Sequence, residues 1–237
     1  MAPTKNVNPA ASDIEAFRQQ PDDDAIIMLN LLRFNGEEGR RRYSEYAKVS
    51  GQEISERGGR VIYSASNLVP QSAPWDSVAL VYYPRRDAWL SMQDSEAYQA
   101  AIEARTAGLS ARLLYAFRSP TGLQSFDDIP SNDDREIAVV NLLRYRGDEG
   151  KAEYERYGHT ASGLIRDTGG EVLLYLEADC ALVTDDDWHN LILVRYPSLE
   201  DLLNMVQGET WKAADRDHRQ KGMAATIAIP TKQHRPR

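Results

Sequence analysis

Short apolar runs alternate along the chain with polar stretches of helical spacing. Ile26–Phe34 is almost wholly apolar and stops at the turn signal Asn35-Gly36, so it reads as a buried strand. Over 40–57, Tyr43, Tyr46, Ala47, Ser50 and Ile54 recur at helical spacing, and Gly58-Gly59 ends the pattern as a helix-terminating glycine does. Residues 60–66 and Ser77–Tyr83 are rich in strand formers. Pro84 closes the second run, because proline has no N–H to give a ladder. The spacing predicts a helix over 85–108, broken near Asp94-Ser95, and a fourth strand over 111–117.

The same order then returns as Ile137–Tyr145, 151–168, 171–177, Asn190–Tyr196, 198–221 and 224–230. It returns with its residues. Asn30, Leu31, Leu32 and Arg33 reappear as Asn141, Leu142, Leu143 and Arg144; Tyr43 and Tyr46 as Tyr154 and Tyr157; Gly58-Gly59 as Gly169-Gly170. Laid 26–67 on 137–178 without a gap, 42 positions hold 14 identities. After a two-residue shift Trp75 answers Trp188, and after one more Arg105 answers Arg219. Units of this length are too long for a solenoid and read as a duplicated domain.

Each unit runs βαββαβ, the ferredoxin-like order, with helices on one sheet face only. The bare apolar face needs a partner, and the other unit is at hand. The expected fold is therefore α+β: a tandem duplication of a ferredoxin-like unit, its sheets packed face to face or closed into an intrachain dimeric α+β barrel. The boundaries read as an N-terminal extension over 1–24, a first unit over 25–118, a polar linker over 119–135, a second unit over 136–231 and a tail over 232–237. Residues 1–11 read as disordered, and 12–20 as a short helix with Phe17 docking.

Composition narrows the functional classes. The chain has 237 residues, 28 basic against 36 acidic, a net charge of -8, with 42% hydrophobic and 27% charged residues. The acidic balance speaks against a nucleic-acid partner. No run approaches the ~18 apolar residues of a membrane span, and the N-terminus has no apolar signal core, so a cytoplasmic protein without a membrane partner is expected. Cys180 is the single cysteine, which leaves neither a disulfide framework nor a cysteine-built zinc site. Free edge strands offer a route to a homo-oligomer.

The stretches 28–34, Tyr43 with Tyr46, Gly58-Gly59, 75–84 and 105–109 together resemble an uncharacterised family, domain of unknown function 1330, in the dimeric α+β barrel superfamily. The resemblance spans nearly all of both units and implies the barrel fold, with two units that would pair as dimers fused here in one chain. The superfamily includes cofactor-independent monooxygenases, muconolactone-type isomerases and tandem-repeat haem proteins such as chlorite dismutases. Its ligand sites lie between sheet and helices or inside the barrel. Relatives carry histidine just before the arginine of the last helix; here Ala104-Arg105 lacks it and His218-Arg219 has it.

Asn30 and Asn141 sit mid-strand in apolar runs, where an unpaired amide costs about 1–3 kcal/mol. Each is either satisfied by backbone or aimed into a pocket to hold a carbonyl or enolate oxygen. Arg33 and Arg144 lie near the strand ends, either paired with acids such as Glu38 and Glu149 or free to bind an anion. Tyr43, Tyr46, Tyr154 and Tyr157 form i, i+3 pairs, core by default but able to line a pocket with their hydroxyls. His218, beside Arg219 and near Asp215, is the first choice for proton transfer, with Tyr154 and Tyr157 as its catalytic companions. The expected ligand-binding set is Asn30, Arg33, Tyr43, Tyr46, Trp75, Arg105, Asn141, Arg144, Trp188 and Arg219, with no metal and no cofactor. The histidines show no metal-ligand spacing, and the acidic runs at 22–24 and 185–187 lack calcium-loop spacing.

Three readings follow. One is a cofactor-independent enzyme, an isomerase or lyase or a monooxygenase, acting on a small carbonyl-bearing or aromatic metabolite. The second is a non-catalytic ligand-binding or scaffold protein. The third is a haem protein with His159 or His218 as axial ligand.

Overall fold

The computed structural model describes residues 6–21, 24–71, 73–121, 129, 133–184 and 186–234. A short helix, α1 (Ala11–Arg18), precedes β1 (Ile26–Phe34). Ile27, Leu29 and Leu31 of β1 face one side, Ile26 and Met28 the other, and both sides are covered. A strand buried on both faces reads as a continuous apolar run. Then α2 (Gly36–Glu56) begins four residues before the predicted start at 40. Gly36 adopts φ +67°, a conformation open to glycine, and turns the chain straight from strand into helix. There follow β2 (Arg60–Asn67), β3 (Ser77–Tyr83), α3 (Arg86–Gln93), α4 (Glu96–Gly108) and β4 (Leu109–Arg118). The predicted break between the last two helices is built by Ser95, whose hydroxyl accepts the Tyr98 N–H at 3.1 Å and caps α4.

The second half runs β5 (Ile137–Tyr145), α5 (Gly147–Asp167), β6 (Glu171–Val183), β7 (Asn190–Tyr196), α6 (Leu199–Gln207) and α7 (Glu209–Ala214). A π-helical stretch, Asp215–Arg219, and a last turn, Gln220–Gly222, lead into β8 (Met223–Gln233). The helix read as continuous over 198–221 is thus interrupted at Gly208 and widened at 215–219.

The strands form a closed antiparallel barrel in the order β1-β3-β2-β8-β5-β7-β6-β4. Each half contributes four neighbouring strands in the corresponding order. Irregularities also correspond: the register shifts between Val61 and Tyr63 against β3, and between Val172 and Leu174 against β7. Two junctions close the ring. Arg118 to Leu114 of β4 pair with Glu177 to Val183 of β6, and Ala65 to Asn67 of β2 with Thr231 to Gln233 of β8. The strands therefore outrun their predicted ends at 177 and 230. Asp179, Thr231 and Lys232 carry no apolar periodicity; the opposite half supplies the ladder that extends them. Closure uses up the edges expected to serve association between chains.

Inside the barrel, Leu29, Leu80, Leu113, Val140, Leu193 and Ile229 belong to one core made by both halves. Trp75 and Trp188 are 4% and 1% exposed in this core, so neither expected ligand contact lies in a cavity against the helices. The helices cover the outer sheet face. Phe17 of α1 docks edge-on to Trp89 at 5.1 Å, as the sequence predicts. Residues 6–10, read as disordered, are pinned instead: Val7 is buried and Asn8 accepts hydrogen bonds from Arg105. Residues 1–5 of that stretch lie outside the described residues. In the linker, Ile129 is buried and its N–H donates to Ile62 O at 3.0 Å; positions 122–128 and 130–132 lie outside the described residues. The expected tail begins as strand, since β8 runs to Gln233.

Candidate functional site

A cavity of about 700 Å³ opens in the second half, between the outer sheet face and helices α5, α6 and α7. Its walls are mostly aliphatic and aromatic. Asn141, Tyr154, Tyr157, Tyr175, Trp211 and Arg219 supply the polar groups, with Glu155 and His159 exposed at the mouth. The mouth is apolar as well: Leu203, Val172 and Tyr175 are 46%, 43% and 41% exposed.

Asn141 Nδ2 donates to Val139 O at 3.2 Å and to Ile192 O at 3.5 Å. Two carbonyls on one side fix the amide orientation, since an oxygen turned toward them would repel. The amide therefore presents Oδ1, an acceptor, to the cavity. An oxyanion needs donors, so the enolate-holding role expected of Asn141 has the wrong polarity here. Donors come from the phenols. Trp211 Nε1 donates to Tyr157 Oη at 3.2 Å, leaving the Tyr157 proton for a ligand. Burial pushes the phenols of Tyr154 and Tyr157 up, so both stay protonated at neutral pH. They act as hydrogen-bond donors, not as ready proton sources.

Arg219 is held in place. Its Nη1 donates to Asp215 Oδ1 at 2.9 Å, across the π-helical turn, and its guanidinium lies 6.0 Å from the Tyr157 ring. The π turn absorbs one extra residue: Trp211 follows Tyr98 by 113 positions, but Arg219 follows Arg105 by 114. Such single wide turns often mark functional helices.

The first half holds a smaller cavity of about 330 Å³, lined among others by Asn30, Tyr43, Tyr46, Tyr98, Arg112 and His234. Arginines fill it. Arg112, 4% exposed, donates to Asn30 Oδ1 from Nη2 at 2.6 Å and from Nε at 3.2 Å. Arg105, 2% exposed, donates to Tyr98 Oη at 2.6 Å and to Asn8 Oδ1 at 2.8 Å. Burial pushes Tyr46 up. At Tyr98 burial acts the same way, but Arg105 and Arg112 outweigh it and hold that phenol below its usual value.

Of the residues singled out in the sequence, Asn141, Tyr154, Tyr157 and Arg219 meet in the large cavity, and Asn30, Tyr43, Tyr46 and Arg105 gather in or under the small one. Others fall elsewhere. His218 lies outside both linings, its Nδ1 2.7 Å from Glu153 Oε2; this contact holds the Glu153 carboxyl below its usual range. Arg144 pairs with Asp186 at 2.6 Å, not with Glu149, and Arg33 is exposed at its strand end. His189 is structural: its Nδ1 accepts the Tyr145 N–H at 3.0 Å, as Asp76 Oδ2 accepts that of Phe34 at 2.7 Å. Sequence reasoning missed Arg112, Tyr98, Trp211 and Tyr175. Arg112 had a legible signal, a lone charge inside an apolar strand.

An axial haem ligand is not offered at depth. His159 is the histidine lining the large cavity, and it sits exposed at the rim. His234 lines the small one, with both ring nitrogens engaged by the hydroxyls of Ser64 and Ser66. Among the described residues no group of three or more His, Cys, Asp or Glu is placed to hold a metal ion, and no helix is long and apolar enough to cross a membrane.

No family model and no curated protein matches the chain. Solved structures do. An anthrone oxidase-like protein matches at TM-score 0.58 and 9% identity, over 91% of this chain and 93% of its own. A protein from Fusobacterium nucleatum, provisionally named a monooxygenase, matches at 0.53 and 10%, over 90% and 93%. A chlorite dismutase from Candidatus Nitrospira defluvii, in complex with imidazole, matches at 0.52 and 14%, over 93% and 95%. At these identities the likeness is one of fold, and it extends over nearly the whole chain: this protein folds as an α+β barrel like these structures.

Proposed function

We propose that this protein is an enzyme that acts, without a tightly bound cofactor, on a small aromatic or carbonyl-bearing metabolite held in the second-half cavity. The observation that carries this reading is the cavity itself: about 700 Å³, apolar-walled, with an amide acceptor and phenol donors converging in it. The names of two neighbours, anthrone oxidase-like and monooxygenase, agree in reaction class. We place its origin in a tandem duplication of a unit related to domain of unknown function 1330. The corresponding strand orders and register shifts support that origin, with one site kept open and the other filled.

Oxygenation is the favoured chemistry. An acidic methylene flanked by aromatic rings loses two hydrogens; one atom of O₂ becomes the new carbonyl oxygen, and the other leaves with both hydrogens as water. Anthrone is a suitable probe, and its product would be anthraquinone. The test follows oxygen uptake and quinone absorbance together. Turnover that falls at least about tenfold in Trp211→Ala supports the assignment. Saturable binding of anthrone with no uptake above the uncatalysed rate would make the protein a binding module instead.

A further inference from the structure

The two halves carry corresponding asparagines in different company. Asn30 faces Leu114 across the β1–β4 ladder, and Asn141 faces Ala228 across β5–β8. Two residues along, Arg112 faces Leu32, whereas Thr226 faces Leu143. In both halves the amide nitrogen is spent on the carbonyl two residues back, Met28 O or Val139 O. In both, Oδ1 points at the space under the helices. The first half fills that space from within: Arg112 donates twice to Asn30 Oδ1, roofed by Val7, whose carbonyl takes a third bond at 3.4 Å. The second half has no such donor. Thr226 is exposed, Ala228 stands where Leu114 would fill, and among the described residues nothing donates to Asn141 Oδ1.

We infer that the ligand of the second-half cavity carries a hydrogen-bond donor that takes, on Asn141 Oδ1, the place Arg112 takes on Asn30. The first half is a self-occupied copy of the contact. Asn141 is half-buried, and a ligand that covers Oδ1 without donating to it would leave a buried acceptor with no partner, so ligands able to donate are selected over isosteres that cannot. The donor is a neutral hydroxyl, a phenol or an enol, and not a cation. Arg219 already lines this cavity, while Glu155, the carboxylate of the lining, sits exposed at the mouth and not at depth. Asn141 is thus a specificity-determining residue. This inference rests on the cavity being the binding site, as proposed above.

The test uses three ligands of one shape in calorimetric titrations of the full chain: 1-naphthol, 1-methoxynaphthalene and 1-naphthylmethylammonium. Naphthol is expected to bind about tenfold tighter than its methyl ether, the worth of one buried hydrogen bond. In Asn141→Leu the two should bind alike. Thr226→Arg changes an exposed position, so it keeps the fold even where the strand variant does not. It should weaken naphthol binding and remove the preference, by setting a guanidinium on Asn141 Oδ1. Naphthol and its ether binding equally to the native chain would overturn the inference and leave the cavity assignment standing, as would a preference that survives both substitutions. Tightest binding of the ammonium would overturn the neutral-hydroxyl assignment. If none of the three binds, or binding is indifferent to Leu203→Arg at the mouth, the cavity assignment itself fails.

Discussion

Asp179 ties the two halves together, and its removal should be among the most damaging single changes in the molecule. Its carboxylate, on β6 of the second half, is 0% exposed and takes Arg86 Nη2 and Arg118 Nε of the first half, each at 2.8 Å. Arg86 is itself 1% exposed; it also donates to Pro21 O at 3.1 Å and stacks 4.2 Å above the Phe17 ring. In Asp179→Ala the Arg86 charge stays buried with one carbonyl and one ring for company, while Arg118, 32% exposed, can turn to water. Stranding a buried charge costs about 3–5 kcal/mol, a large share of a typical total of about 5–15 kcal/mol. Replacing both partners is a different matter. Arg86→Leu with Asp179→Ala removes the charge together with its desolvation penalty, and should recover much of the loss. The corresponding position in the second half is Leu199, already packed against that half's core. The assay is urea unfolding of the native chain, both single variants and the double, read as a double-mutant cycle. A loss below about 1 kcal/mol in Asp179→Ala, or a double variant no better than the single, would refute the claim that an uncompensated charge sets the cost.

Three further outcomes are expected. Gly150→Ala should cost about 1–3 kcal/mol in urea unfolding, because its Cβ would lie 2.6 Å from Gly222 O, a backbone atom that cannot step aside; unchanged stability would mean that α5 and the last helical turn are not closely packed. Tyr98→Phe should cost about 1–2 kcal/mol, since Arg105 loses its 2.6 Å acceptor in a buried site, and thermal melting of the variant against the native chain checks it. His234 is lowered below its ordinary value of 6.5 by burial, then by Arg40. The unfolded chain therefore takes up the proton more readily than the folded one. The stability due to neutral His234 is complete above 6.5 and is lost as pH falls through the lowered folded value. His234→Gln should flatten the decline of Tm on that acid side, and superimposable profiles would count against it.

The elements were legible because each obeys a local rule. The run at Ile26–Phe34, the helix-spaced tyrosines, Gly58-Gly59 and Pro84 each mark a boundary through backbone sterics or burial period, and the repeat doubled every such signal. The site was legible only in part. Asn141, Tyr154, Tyr157 and Arg219 stood out as polar groups recurring at corresponding positions, and they do converge. His218 stood out equally and lies elsewhere, because one extra residue widens the helix to a π turn and sets it against Glu153. Trp75 and Trp188 stood out for their size, but size is also what fills a barrel.

What the amino-acid order determined alone is whatever depends on near neighbours in the chain: which stretches are strands and helices, and that the two halves share a sequence pattern. Tertiary structure decided the rest. Closure of the ring drew polar residues such as Thr231 and Asp179 into ladders that their own pattern does not announce. It also decided which half stays open, since that turns on contacts between distant residues: Arg112 reaching Asn30, Val7 roofing Arg112, and Thr226 and Ala228 leaving the opposite space unfilled. A cavity is a difference between volumes brought together from many elements of the chain, and no local period in a sequence encodes such a difference.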